Sequence, residues 1–228
     1  MRASTIFDER ALTVALAELG YSTFKRFAYR ADWSTEVEHF LYIHLWGTPK
    51  EYLQVDFGLR SKDALAFALR AIETYGPVIP GLPRLPNDPH NCYMRFSFGA
   101  LAGWEMPPSL TISSMSGAAL AQRIQHDIKQ KLLPIVRHVT TSERLTALLL
   151  IDADPCRWAH CNGAMRAAII AYLATRQGAE PAEIKTMLEP RKSEILAHLR
   201  GASDPDPLRY IEKIVNGAAS IHHRGRSL

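Results

Sequence analysis

The stretch Val37-Glu38-His39-Phe40-Leu41-Tyr42-Ile43-His44-Leu45-Trp46 decides the fold class. It is rich in β-branched and aromatic side chains and holds neither Gly nor Pro, which is the composition of a strand. Phe40, Tyr42 and Trp46 share one parity, while Val37, Leu41, Ile43 and Leu45 share the other, so both faces are apolar. Such a strand is expected at the centre of a sheet covered on both sides. The alternative is an aromatic face left open to a partner. His39 and His44, five positions apart, fall on opposite faces and cannot act as joint ligands in a regular strand.

Working outward, Gly47 to Glu51 is a short polar turn, and Leu53, Val55, Phe57 and Leu59 then alternate with Tyr52, Gln54, Asp56 and Gly58. This pattern predicts a half-buried strand paired in a hairpin with the first. Upstream, Tyr21 to Tyr29 reads as one further strand. Before it, Ile6, Leu12, Leu16 and Leu19 stand at helical spacing over Thr5–Leu19, with Thr5 and Asp8 as capping residues and Gly20 as the stop. Ser61 caps a second helix that runs to Tyr75. Pro77, Pro80, Pro83, Pro86 and Pro89 make the following segment a long loop, because each proline removes a backbone donor and restricts its predecessor. Cys92 to Phe98 alternates again and predicts a fourth strand.

From Ser116 the pattern is helical. Leu120, Ile124, Ile128 and Leu132 are spaced by four, and Pro134 is expected to kink or end that helix. Further helices are expected from Ser142, over Ala164–Arg176, over Pro181–Arg200 with an interruption at Pro190, and from Pro207 to about Asn216-Gly217. The class is therefore α+β: an antiparallel sheet of about four strands with flanking helices, followed by an all-helical C-terminal portion. The corresponding division is 1–115 for the sheet portion, 116–220 for the helical portion packed on it, and 221–228 for a basic tail.

The chain has 228 residues, 47% of them hydrophobic and 22% charged, which is the composition of a folded globular protein with a buried core. The first ten residues carry two acidic groups where a secretory signal needs an apolar run, and no stretch approaches the length of a membrane span. Three cysteines, an odd number, and the lack of any Asn-x-Ser/Thr site fit a cytoplasmic location. The net charge of +4 comes from the second half: residues 1–115 hold 11 Lys/Arg against 12 Asp/Glu, and residues 116–228 hold 16 against 11. That excess is mild and interspersed with acids, so it argues against nucleic-acid binding.

Residues able to carry chemistry are few. Cys156, His160 and Cys161, with His90 and Cys92 as distant partners, have the donor types zinc prefers but not the paired spacing of a zinc knuckle. They are expected to be structural, with no metal and no cofactor. Asp152 and Asp154 end an apolar run and could present carboxylates to Mg²⁺, but leucines at helical spacing favour a helix there, with Asp154-Pro155 starting the next. Gly99 to Glu105 lacks the spacing of a phosphate loop. No nucleophile elbow, metalloprotease helix or redox pair is present.

Leu16-Ala17-Glu18-Leu19-Gly20-Tyr21, the aromatic strand, and Leu53-Gln54-Val55-Asp56-Phe57-Gly58-Leu59 together resemble a bacterial domain family of unknown function. Its members show a helix ending in Leu-Gly-Phe/Tyr, aromatic strands, and a strand ending apolar-Asn-x-Gly-apolar. Asp56 stands where that family has Asn, and its usual Gln in the middle strand is absent. Leu132-Leu133-Pro134 with Thr141-Ser142-Glu143 looks like its helical continuation. The resemblance implies an α+β sheet with helices and an association with toxin and immunity systems.

These readings lead to the expectation of a non-enzymatic protein that binds another protein, in its most concrete form an immunity factor occluding a cognate toxin. Phe40, Tyr42, Trp46, Trp104 and Glu105 are the expected contact residues, since aromatic side chains dominate binding hot spots. The alternative is a hydrolase or transferase acting on a small or phosphorylated substrate through Asp152, Asp154, His160 and Glu105, or a weak nucleic-acid binder.

Overall fold

The computed structural model describes residues 8–47, 52–75, 94–104, 110–111, 115–150, 163–199, 202 and 205–225. Among these, the α+β class is as the sequence predicts, but the sheet has six strands rather than four. The described residues gather into two compact units: 8–47, 52–59, 94–104, 110–111 and 115–140 form the first, and 60–75, 141–150, 163–199, 202 and 205–225 the second.

Unit 1 opens with α1 (Glu9–Ala17), whose N-cap Asp8 accepts the Ala11 N–H at 2.9 Å. Gly20 then turns the chain into β1 (Tyr21–Lys25) and β2 (Ala28–Ala31). The single strand expected over Tyr21–Tyr29 is in fact a hairpin, because the chain reverses in two residues at Arg26-Phe27. β3 (Glu38–Trp46) and β4 (Tyr52–Arg60) follow as expected. β5 (Met94–Ser97) and β6 (Leu110–Thr111) share the far side of β4, pairing with Asp56–Leu59 and Tyr52-Leu53 respectively. Every registered pair is antiparallel.

Both parities of β3 are buried from His39 to Ile43, and β4 is buried without alternation from Val55 onward. The half-buried pattern expected for β4 therefore fails. Phe40 stacks along its own strand on Tyr42, ring centroids 6.1 Å apart, while on the opposite face His39 meets Trp33 at 5.0 Å and Phe57 at 6.1 Å. His39 Nε2 donates to the Val139 carbonyl at 2.9 Å, and Ser34 Oγ donates to the Thr140 carbonyl at 2.5 Å. These two bonds tie β3 and the loop before it to a segment about 100 residues later. α1 also faces the His39 side of the sheet, where Thr13 Oγ1 lies 3.3 Å from the Tyr29 hydroxyl.

α3 (Phe98–Ala102) follows β5 directly, and α4 (Gly117–Asp127) begins at Ser116, whose hydroxyl caps the Ala119 N–H. The helix that Pro134 was expected to kink instead widens ahead of it into a π-helical turn (Ile128–Leu132), closed by Leu133 N–H on the Ile128 carbonyl, before α5 (Leu133–Val136). Proline has no N–H, and its ring collides with the carbonyl four residues back. One wider turn accommodates both defects.

Unit 2 contains α2 (Lys62–Tyr75), α6 (Ser142–Leu150), α7 (Gly163–Arg176), α8 (Pro181–Leu188), α9 (Lys192–His198) and α10 (Pro207–Gly225). α7 is the central helix, buried almost throughout, and α2, α6, α8, α9 and α10 all pack against it. Its alanines and Gly163 allow that approach: a Cβ at Gly163 would come within 2.6 Å of the Glu194 backbone carbonyl oxygen. Arg166 Nε and Arg191 Nη2 donate to the last carbonyls of α6, those of Leu149 at 2.8 Å and Leu150 at 2.6 Å. Glu194 lies between the two guanidinium groups at 3.4 and 3.5 Å. Cations are favoured at a helix C-terminus, where carbonyls lack intrahelical partners. Pro190 breaks the long helix expected over Pro181–Arg200 through a 3₁₀ turn (Glu189–Arg191), whereas α10 runs past Asn216-Gly217 to Gly225.

Burial pushes His39 down to about 4, and its bond to the Val139 carbonyl offsets that shift only in part. Since the unfolded value is about 6.5, the unfolded chain binds the extra proton between these two values. His39 therefore contributes full stability above about pH 6.5, and on the order of 3 kcal/mol is lost as the pH falls toward 4. Urea unfolding of the parent and of His39→Gln at pH 7 and pH 4.5 checks this. The parent is expected to lose more stability between the two pH values than the variant, and equal losses contradict it.

Candidate functional site

Of the residues expected to contact a partner, the three whose side chains are described are buried. Phe40 and Tyr42 are 0% and 1% exposed, so their rings are sheet core, as the covered-strand alternative requires. Trp104 is 7% exposed and is held from two directions: Phe98 packs edge-on at 5.4 Å, and Trp104 Nε1 donates to Asp127 Oδ2 at 2.9 Å. These three expectations are corrected by burial. Trp46 closes β3 with a side chain outside the described residues, and Glu105 lies outside them, as do His90, Cys92, Asp152, Asp154, Cys156, His160 and Cys161. Among the described residues no group of three or more His, Cys, Asp or Glu could hold a metal.

Asp127, which the sequence reading passed over, organises a polar cluster beneath Trp104. Its Oδ2 also accepts from Arg123 Nε at 2.8 Å, and Lys131 Nζ donates to the Ala102 carbonyl nearby. Burial works to raise the Asp127 carboxyl, but the hydrogen bonds from Arg123 and Trp104 and the charges of Arg123 and Lys131 outweigh it and hold the group below its usual range. The Arg123–Asp127 spacing is that of a helical ion pair and is visible in the sequence. The Trp104 partner, from another element, is not.

On β3 and β4, Asp56 is buried and His44 partly exposed. Asp56 Oδ1 accepts from Gln54 Nε2 at 2.9 Å, and its Oδ2 lies 3.4 Å from His44 Nε2. A carboxylate-oriented imidazole is where general-base chemistry starts. The pair sits on neighbouring strands, with the carboxylate buried and the imidazole partly exposed.

Among the described residues of unit 1 the large exposed apolar side chains are Val14 on α1 and Phe24 on the β1–β2 hairpin, and Phe24 is the aromatic one. β1 ends the strand order, and Ser22, Thr23, Phe24 and Lys25 are all exposed. The ladder pairs Thr23 with Tyr29 and Lys25 with Ala28, which leaves Phe24 as the extra residue of a bulge. A bulge re-aims a side chain and strengthens the local twist. Phe24 here is 47% exposed, touching Phe40 edge-on at 6.2 Å, with the Arg30 guanidinium 5.8 Å from its ring. At the tip, Phe27 adopts φ 60°, a left-handed conformation that costs a non-glycine residue about 1–2 kcal/mol. Arg26 sits 4.9 Å over the Phe27 ring, and the Phe27 carbonyl accepts from Ile43 N–H at 2.9 Å. Strain of this kind persists where surrounding contacts enforce it, often at functional positions. Nothing in the sequence marks Phe24, because its exposure depends on the pairing register.

Comparison with family models, curated proteins and solved structures finds no match.

Replacing Trp104 with Phe keeps most of the buried ring area but removes the donor to Asp127. The expected loss is about 1–3 kcal/mol in urea unfolding, the cost of a hydrogen bond to a buried charge. A loss below about 0.5 kcal/mol contradicts the role given to that bond.

Proposed function

We propose that the protein acts by binding another protein rather than by catalysis, and that the outer edge of β1 with the adjoining hairpin tip is the contact surface. The observation that carries this reading is Phe24: a large apolar side chain held in solvent by a bulge on a terminal strand. An edge strand offers unpaired backbone groups to an incoming strand, and an exposed aromatic anchor beside them gives the contact side-chain specificity. Arg26, stacked on Phe27, adds the second residue type that dominates hot spots.

Lys25, Arg26 and Arg30 surround the anchor, with Glu9 3.5 Å from Arg26 and Asp32 3.0 Å from Arg30. The surface is mixed with a basic excess, which favours a partner whose matching face is acidic. In its concrete form the reading is that of an immunity factor occluding a toxin. A nuclease toxin fits poorly, because its active face is cationic and its inhibitors are acidic.

The test is co-purification of the tagged chain with the product of the adjacent gene, for the parent and for Phe24→Asp. The parent is expected to hold a stoichiometric partner that the variant loses, with the variant's stability within about 1 kcal/mol of the parent. A partner retained by Phe24→Asp contradicts the surface. The lack of a stoichiometric partner for the parent contradicts protein binding itself.

A further inference from the structure

A cleft of about 940 Å³ opens in unit 1 between the C-terminal end of α1 and the π-helical turn. Its volume lies in the range of small-molecule sites. Trp33 forms one wall and Lys129, Gln130 and Arg137 line another. We propose that this cleft binds a phosphorylated small molecule bearing an aromatic ring, most simply a nucleoside diphosphate.

Trp33 supplies the ring platform. Tyr21 packs edge-on against it at 5.1 Å and 65°, and His39 at 5.0 Å and 60°. Gly20, at φ +91°, lets the indole close in: a Cβ there would stand 2.8 Å from Trp33 Nε1. These contacts fix the partly exposed indole where it lines the cleft, and a fixed indole loses little freedom when a base stacks on it. Base-on-aromatic stacking is tolerant of base identity, because every base has a π-face.

Lys129 and Arg137 supply the anion site. Neither forms an ion pair with a described residue, and both are exposed on the cleft. Ammonium and guanidinium groups together are the usual donors to phosphate oxygens. Glu18 is the acid of the lining, and its Oε2 accepts from Gln125 Nε2 at 2.6 Å, so its charge is turned toward α4. The same Gln125 nitrogen donates to the Ala15 carbonyl at 3.0 Å, which pins this wall to α1.

The wall carrying Lys129 and Gln130 is the π-helical turn, and such turns recur at functional sites. Pro134 forces the turn and offers no N–H to the carbonyls of Lys129 or Gln130. One aromatic platform in the cleft suits one nucleotide, whereas a nucleic-acid strand needs a row of platforms along a groove.

Calorimetric titration of the full chain with ADP, GDP, CDP and UDP tests the proposal, alongside adenosine and inorganic phosphate as the separated halves. At least one diphosphate is expected to bind at least about tenfold more tightly than either half, and the double variant Lys129→Glu/Arg137→Glu to lose at least about tenfold in affinity without a change in melting temperature. No binding of any diphosphate up to about millimolar concentration overturns it, as does binding that the double variant leaves unchanged. Inorganic phosphate binding as tightly as the diphosphates also overturns it, reducing the cleft to an anion site. The outcome is independent of the Phe24 surface, which lies on another part of unit 1.

Discussion

A strand that is apolar on both sides must be covered on both sides, and β3 imposes this on unit 1. Phe40 and Leu41 alternate across the sheet and both are fully buried. The His39 face is closed by α1, by Trp33 and by the chain around Val139, with His39 and Ser34 each donating to a carbonyl of that later segment. Burying a histidine there means keeping it neutral, with Nε2 as the donor and Nδ1 without a partner among the described residues. The unpaired nitrogen is a cost of using an imidazole where an aliphatic side chain would only fill space. What it contributes is a bond between segments distant in sequence.

Much of this was legible in the sequence. The composition of β3 announces a covered strand, and helical spacing marks α1, α2, α4, α6 and α7 with small errors at their ends. What failed did so for identifiable reasons. The β1–β2 hairpin turns at Arg26-Phe27, which carries no Gly, Asn or Pro, because contacts in the fold enforce a left-handed Phe27. The π-helical turn is a local solution to Pro134 that periodicity cannot distinguish from a kink or a stop. α10 continues through Asn216-Gly217, where Gly217 lies against the Phe67 ring at ordinary contact distance.

The candidate site was less legible than the fold. Counting aromatic residues singled out Phe40, Tyr42 and Trp104, and large aromatic side chains are as valuable to a core as to an interface. On the sheet, only the register separates Phe40 and Tyr42 from Phe24, one bulge away. Trp33 has the same double character, anchored by Tyr21 and His39 on one side and bordering a cleft on the other. In both cases the aromatic group rests on a buried residue of β3, Phe40 beneath Phe24 and His39 beside Trp33, so the proposed surfaces and the core share the residues that hold them in place.

Native-state hydrogen exchange of the β3 and β1 backbone amides tests this account most directly. If the doubly covered strand is the structural centre of unit 1, the amides of residues 39–43 exchange only through the largest unfolding event of that unit, while those of Ser22–Lys25 exchange through local opening at far lower free energy. Equal protection of β1 and β3, or fast exchange at Phe40 and Leu41, contradicts it.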